Sequence, residues 1–220
     1  MYTFDSKYKV GASFSEGYHE NHVKNEPMFF NSSIEFAITR GGRITRDFLT
    51  TFLNDNPYYD EDRYVFDSRV HMLMPGWFPC IPGFHHDDVP RQTSNGQPDY
   101  DSPSYRANHC LGLVNGDICP TQFATGRADF SRVPDDVIVY KQWHLEVEEK
   151  IKNGELERSS APSNKLVYFN DRTWHQGVRT RAGGWRWFGR VSWDTDRVKR
   201  ISNEIRQQVQ VYLEFPLEGW

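Results

Sequence analysis

The chain has 220 residues, of which 37% are hydrophobic and 15% aromatic, and its formal net charge at pH 7 is -4. This length predicts a single domain over residues 1–220 with a buried core, and the aromatic-rich composition favours a mainly β fold. The weak negative charge excludes a global basic field, so we expect no nucleic-acid partner. The sequence has no long apolar run and no Cys-x-x-Cys spacing, which is typical of a reduced, cytoplasmic protein without a membrane partner.

The first predicted elements are an arm, two strands and a helix. The stretch up to about Asn31 is polar and rich in turn-forming residues, which predicts an arm or an irregular cover. Ser32 to Thr39 has the pattern of a short strand. Thr45 to Leu53 places its apolar residues on one helical face, with its first residue as the predicted N-cap. Tyr64 to Met74 alternates as a longer strand does, and we interpret His71 within it as a hydrogen-bonded core residue.

Turn-forming residues dominate the next part of the chain. Residues 92–106 predict a long lid loop, because a segment of this composition rarely forms a regular element. Two strands, at 111–114 and 118–124, are predicted on either side of a tight turn. Residues 133–164 have the features of a helical insertion in the β core, with the helix between Lys141 and Lys152.

The C-terminal part predicts a hairpin followed by one more strand. Strands are expected at 166–169 and 174–180, and a glycine-containing turn then returns the chain antiparallel over 185–193. A last strand is predicted from the regular alternation of Val209, Val211, Leu213 and Phe215. The chain is therefore predicted to be mainly β with a few peripheral helices.

One short motif, two histidines followed by two aspartates at residues 85–88, has the residue types of a metal site. Because residues i and i+2 of a strand point to the same face, a His-x-Asp pair presents an imidazole and a carboxylate together. Either His85 with Asp87 or His86 with Asp88 satisfies this spacing, since a one-residue shift turns every side chain over. His175, at the start of a later strand, is the best third ligand. Two histidines and one carboxylate leave three positions on the ion free, as in Fe(II) oxygenases.

Two arginines follow His175 on the predicted returning strand. Arg186 and Arg190 share one face of that strand, and they point where His175 points if the hairpin folds at its glycines. A guanidinium binds both oxygens of a carboxylate in plane, which suits the far end of a dicarboxylate cosubstrate. Ser192 on the same face could add a hydroxyl donor. Without such a ligand, the arginines would form the solvated face of an edge strand.

The ordered set of the His-x-Asp pair, His175 and the two arginines resembles the Fe(II)/2-oxoglutarate-dependent dioxygenase superfamily. The resemblance covers about residues 64–193. Within this range, the segment from Leu166 to His175 is similar to the run that leads to the second histidine of that family. The segment from Trp185 to Arg190 is similar to the returning strand of its taurine-dioxygenase-like and phytanoyl-hydroxylase-like branches. These short motifs support the superfamily better than any one branch.

The resemblance implies a double-stranded β-helix (jelly-roll) core. It also implies an enzyme that hydroxylates a small or anionic substrate with Fe(II) and 2-oxoglutarate, releasing succinate and CO2. The iron ligands that it implies are His85, Asp87 and His175. This register is favoured because the family usually sets an aromatic residue, here Phe84, directly before the first histidine.

The same resemblance implies where 2-oxoglutarate would bind. Arg186 corresponds to the anchor of the cosubstrate, and Arg190 is either an alternative anchor or a clamp on an anionic substrate. The segment Cys119 to Gly126 is similar to a core strand that contacts the cosubstrate in these branches, which implies contacts from Thr121 and Gln122.

Two other functions fit the same residues. A cupin-like metalloenzyme would use the fold and the metal without 2-oxoglutarate, and the two arginines would then have no task. A non-catalytic jelly-roll binding protein would leave the histidines and the aspartate as incidental neighbours.

Overall fold

The computed structural model describes residues 1–58, 60–132 and 139–213, and its secondary structure in these ranges is mainly β. The strands are β1 (Tyr2–Ser6), β2 (Lys9–Ser13), β3 (Met28–Phe30), β4 (Tyr64–Leu73), β5 (Asn108–Val114), β6 (Thr121–Phe130), β7 (Glu157–Ser160), β8 (Lys165–Asn170), β9 (Trp174–Gly177), β10 (Gly184–Trp193) and β11 (Glu204–Arg206). The helices are α1 (Glu20–Lys24), α2 (Ile34–Arg40), α3 (Arg43–Asp55) and α4 (Val139–Lys152), and short 3-10 turns occur at Glu61–Arg63, Gly116–Ile118 and Asp196–Arg200. None of the helices described is long and apolar enough to cross a membrane.

Two antiparallel sheets form the body of the fold. The larger sheet has the strand order β2-β8-β5-β10-β4, and the smaller has the order β1-β6-β7, with β9 also paired to β6. A separate short ribbon joins β11 to β3. After β4, a bridge between His85 and His175 attaches the chain to β9 of the smaller sheet. The chain then alternates between the sheets from β5 to β6 and from β8 through β9 to β10. The arrangement is compatible with a β-sandwich.

Apolar side chains fill the space between the sheets and cover their outer faces. Between the sheets, Leu111 of β5 and Phe169 of β8 pack with Phe123 of β6, whose ring centroid lies 5.3 Å from that of Phe169. The helix α3 covers the larger sheet through residues such as Phe48, and α4 covers the smaller sheet through Trp143. Each such buried side chain contributes about 1.5–3 kcal/mol to folding.

The predicted helix near residue 50 is confirmed as α3, but its start differs from the prediction. The helix begins at Arg43, and Thr45 is not the N-cap. Instead, the buried carboxylate of Glu26 accepts hydrogen bonds from the amides of Ile44 and Thr45 at 3.2 and 2.9 Å. An acid distant in sequence therefore satisfies the first free amides of the helix.

Two predictions for the N-terminal part are wrong. The residues before Asn31 are not an arm, because β1 pairs with β6 and β2 pairs with β8, so this segment supplies an edge strand to each sheet. The segment from Ser32 to Thr39 is not a strand, because most of it forms α2. Ser33 caps this helix by accepting a hydrogen bond from the Phe36 amide at 3.2 Å.

The strands predicted at 64–74, 111–114, 118–124 and 166–169 are confirmed in outline, and so is the helix α4. Residues 92–106 contain no helix or strand, as predicted for a long loop. Residues 133–138, at the start of the predicted helical insertion, lie outside the described residues.

The predicted last strand is wrong in its described part. Residues 209–213 form only an isolated bridge, in which Tyr212 exchanges two backbone hydrogen bonds with Phe78. Phe215, the last residue of the predicted alternation, lies outside the described residues.

Two predicted hairpins are wrong in their pairing although their strands exist. β5 and β6 lie in different sheets, and so do β9 and β10. β9 pairs with β6, whereas β10 pairs with β4 and β5. The turn between β9 and β10 therefore carries the chain from one sheet to the other, and the arginines of β10 face the space between the sheets.

Candidate metal centre

Three polar side chains from two segments of the chain meet between the sheets. His85 and Asp87 follow β4, and His175 lies in β9. Backbone hydrogen bonds of 3.0 and 3.2 Å between His85 and His175 join the two segments. One ligand atom from each residue lies within 4.8 Å of the others, so this group could hold a metal ion. The Asp87 carboxylate is central, at 3.2 Å from His175 Nε2 and 3.8 Å from His85 Nε2.

Backbone carbonyls fix the orientation of both imidazoles. Nδ1 of His85 lies 2.8 Å from the carbonyl oxygen of Gly83, and Nδ1 of His175 lies 2.9 Å from that of Thr173. Because a carbonyl oxygen only accepts, each Nδ1 carries the proton and donates it. In this tautomer both rings present Nε2 towards the Asp87 carboxylate, where a cation would relieve the repulsion between electron-rich atoms. This donor set fits a divalent transition-metal ion.

Arg190 keeps Asp87 in its charged form. The guanidinium of Arg190 forms an ion pair with Asp87 Oδ2. Burial alone raises the pKa of Asp87, but the charge of Arg190 and then the neighbouring His175 outweigh it and hold this pKa well below its ordinary value. Burial, and then the neighbouring His175, lower the pKa of His85 to about 4. The carboxylate and this imidazole are thus in the protonation states that metal binding requires.

The neighbouring pair, His86 and Asp88, is not part of this group and has other partners. The His86 ring is buried, stacks on Trp174 with ring centroids 3.7 Å apart, and forms a hydrogen bond of 2.5 Å with the Tyr100 hydroxyl. Asp88 has a φ of 52° and lies 3.5 Å from Arg197. Of the two registers that the sequence allows, the structure thus brings His85 and Asp87 together with His175.

The three residues line a cavity of about 400 Å3 that also contains Arg186. Arg186 is 2% exposed and donates from Nη2 to the Thr121 hydroxyl at 3.2 Å, while its Nε has no hydrogen-bond partner. Burial lowers the pKa of Arg186, opposed only by the thiols of Cys119 and Cys80. No carboxylate of the described residues forms an ion pair with it. A buried cation without a counter-charge is unfavourable, so this end of the cavity suits an anionic ligand.

The remaining predicted site residues have partners of their own. Ser192 lies in the interior, where its hydroxyl is 2.9 Å from Nδ1 of His109. Gln122 accepts a hydrogen bond of 3.2 Å from Gln176. Neither Ser192 nor Gln122 lines the cavity, whereas Thr121 and Arg190 do.

Several lining residues were not predicted from the sequence. His71 lies in the wall of the cavity beside Arg186, and Arg69, Arg91 and Tyr140 lie elsewhere in its lining. The sequence offers one signal for the β4 residues, since 69 and 71 share a strand face by the period of two. That signal does not say which face is turned towards the site, because this depends on the pairing of β4 with β10.

Neither a protein-family profile nor a curated protein sequence matches this chain. Among solved structures, HygX from Streptomyces hygroscopicus with nickel and 2-oxoglutarate bound is similar at 9% identity, with 87% of this chain and 84% of that chain covered and a TM-score of 0.48. Apo HygX is similar at 10% identity, with 87% and 83% covered and a TM-score of 0.44. Because these TM-scores are below 0.5, the proposal that follows rests on the geometry of the site.

Proposed function

We propose that the protein is a non-haem Fe(II)- and 2-oxoglutarate-dependent oxygenase that hydroxylates a small anionic substrate. The proposal includes a double-stranded β-helix (jelly-roll) core, supported by the alternation of the chain between the two sheets after β4. One observation carries it: the His85, Asp87 and His175 group shares a cavity with Arg186, a buried guanidinium that has no carboxylate partner among the described residues.

In this proposal His85, Asp87 and His175 hold the metal. Fe(II) bound there would supply oxidising power through the oxidative decarboxylation of 2-oxoglutarate to succinate and CO2, with dioxygen as oxidant. The carbonyls that accept from the two Nδ1 atoms keep both imidazoles oriented. Arg190 keeps the carboxylate charged and restrains its rotation, which makes Arg190 a positioning residue and not the cosubstrate anchor.

Arg186 and Thr121 bind the far carboxylate of 2-oxoglutarate in this proposal. The guanidinium already donates to the Thr121 hydroxyl and retains the free Nε donor. Water has little access to this side chain, so an ion pair with a bound carboxylate would be much stronger than at the surface. The cavity walls from both sheets exclude water from the cosubstrate.

The charge of the cavity supports an anionic substrate. Arg197 is neutralised by Asp67 and Asp88, but Arg69 and Arg91 also line the cavity and are exposed at its opening. Neither forms an ion pair with a carboxylate of the described residues. A small molecule carrying a carboxylate, phosphate or sulfate group would complement these two guanidiniums.

The test is an anaerobic titration of the metal-free protein with Fe(II) and then 2-oxoglutarate, followed by visible absorption. The wild type should develop the weak charge-transfer band of a chelated complex. Asp87→Ala should abolish the band, whereas Asp88→Ala, the matched control one residue along, should retain it. Arg186→Ala should still bind Fe(II) but need far more 2-oxoglutarate, and Arg179→Ala, at an arginine outside the cavity, should behave as wild type.

Two negative results of this titration would each refute the proposal, and each would favour a different function. Fe(II) binding without a band at saturating 2-oxoglutarate would refute the proposal in favour of a cupin-like metalloenzyme. No Fe(II) binding would refute it in favour of a non-catalytic binding protein. With the band in place, succinate release would be measured with small anions and their neutral analogues. Stimulation by the neutral analogues alone would contradict the proposed substrate class.

A further inference from the structure

His71 is a buried polar residue whose ring nitrogens make no more than one weak contact, with the Pro79 backbone, within the described structure. Its side chain is 1% exposed and lines the same cavity as Arg186. Neither ring nitrogen makes a hydrogen bond of ordinary length and angle with the described residues, and only the Pro79 backbone interacts weakly with the ring. Buried polar groups are nearly always paired, so an unpaired imidazole in a cavity wall points to a ligand.

The position of His71 in the sheet defines which ligand group it would meet. In the antiparallel pair of β4 and β10, His71 lies directly opposite Arg186. Residues opposite each other have side chains on the same face, with Cβ atoms about 5 Å apart. The imidazole and the guanidinium therefore lie side by side in the cavity wall, and Thr121 joins them through its hydrogen bond to Arg186.

The electrostatic surroundings make His71 a neutral donor and not a second cation. Burial, followed by the charges of Arg186 and Arg69, lowers the pKa of His71 to about 3, against a smaller opposing effect of the Pro79 backbone. A neutral imidazole carries one N–H, which can donate to a carboxylate without adding charge next to Arg186. Such a donor complements an anion that the arginine already attracts.

We propose that His71 is a third binding residue for the far carboxylate of the cosubstrate, acting beside Arg186 and Thr121. It thereby selects 2-oxo acids with two carboxylates over those with one. This inference rests on the proposed function, and it assigns a role to a residue whose sequence context predicts only core packing.

The test compares two ligands in three proteins. Fe(II)-loaded wild type, His71→Leu and His71→Gln are titrated anaerobically with 2-oxoglutarate and with 2-oxopentanoate, in which a methyl group replaces the far carboxylate. His71→Leu should weaken 2-oxoglutarate binding about 10-fold or more, the usual effect of losing a hydrogen bond to a charged group. It should change 2-oxopentanoate binding less than about twofold. His71→Gln, which keeps a donor, should recover part of the loss.

Controls separate this role from a structural one. Fe(II) affinity without cosubstrate should be the same in all three proteins. Met72→Leu, at the next residue of β4, should bind both ligands as wild type does, because the Met72 side chain lies on the opposite face of the strand and is 41% exposed. An equal loss for both ligands, or no loss for either, would overturn the role of His71 and leave the proposed function standing. If His71→Leu fails to fold, His71→Phe, which also lacks a donor, takes its place, and an unchanged preference of His71→Phe for 2-oxoglutarate over 2-oxopentanoate would also overturn it. Absence of the band in the wild type would overturn both proposals.

Discussion

Because Asp87 forms an ion pair with Arg190, we expect that replacing Asp87 lowers the stability of the metal-free protein as well as its affinity for a metal. Asp87→Ala removes the main counter-charge of Arg190, whose side chain is only 15% exposed. Burial lowers the pKa of Arg190, but Asp87 and then Asp88 and Asp67 outweigh this and raise it above its ordinary value. In Asp87→Ala the guanidinium would stay charged in a site that compensates it poorly.

The size of this effect follows from the exposure of the two partners. Removing one member of a fully buried pair destabilises a protein by about 3–5 kcal/mol. The Asp87 side chain is 31% exposed, and Asp88 and Asp67 still lie near Arg190. Both facts reduce the effect, so we expect a loss of about 2 kcal/mol in the free energy of unfolding. In Asp87→Ala with Arg190→Met the uncompensated charge is gone, and most of this loss should be recovered.

The assay is urea-induced unfolding of the metal-free proteins, repeated with saturating Fe(II). Asp101→Ala is the matched control, because it removes an ion pair with Arg132 at the surface and should cost less than about 0.5 kcal/mol. Fe(II) should stabilise the wild type and neither Asp87 variant, since a ligand stabilises only a folded state that binds it. Equal destabilisation of the single and the double variant would refute the reasoning, because the loss would then not come from a stranded arginine.

Three further predictions concern stability. Glu26→Ala removes the carboxylate that caps α3 and should lower the free energy of unfolding by about 2 kcal/mol in urea titrations, with Glu26→Gln intermediate; no difference between the two variants would argue against a role for the charge. Burial raises the pKa of Asp171 to about 6, so folding opposes its ionisation, and stability should fall as pH rises from about 4 to 6. Asp171→Asn should therefore stabilise by about 1 kcal/mol at pH 8 after allowance for solvent screening, and clearly less at pH 4; an equal effect at both pH values would contradict the linkage. A Cβ at Gly189 would overlap the buried Trp187 ring, so Gly189→Ala should lower stability by about 2–3 kcal/mol, and a wild-type thermal midpoint would refute the packing.

The parts of the fold that were predicted correctly depend on local patterns. The strand β4 and the helix α3 have enough residues for the periods of 2 and 3.6 to be distinguished. The segment from Ser32 to Thr39 is too short for that, and its apolar residues satisfy both periods. Its helical state is decided by the Ser33 cap and by burial of Ile34 and Ala37 against the larger sheet. Tertiary packing therefore overrides an ambiguous local pattern.

The same division between local and non-local information applies to the site. A two-residue spacing predicts that a histidine and an aspartate share one face, but it fits His86 with Asp88 as well as His85 with Asp87. The choice between them came from the family resemblance at Phe84 and not from the spacing. The predicted route by which Arg186 would reach His175 was wrong, because turn residues at 181–184 are compatible with a hairpin and with a crossover between sheets. The position of His71 was not predictable either, since the register of β4 against β10 is fixed by residues over a hundred positions apart.

The sequence could not distinguish the roles of the two arginines of β10, Arg186 and Arg190. They lie four residues apart on one face of the strand, about 13 Å along its axis, so composition and spacing assign them the same role. Their surroundings differ: Arg190 meets Asp87, whereas Arg186 meets Thr121, His71 and two neutral thiols. A guanidinium that already has a carboxylate partner can only position that partner, and one without a partner can bind an incoming anion. In the proposed function the strand therefore connects the metal-binding end of the cavity to the anion-binding end, and the position of Asp87 decides which arginine serves which end.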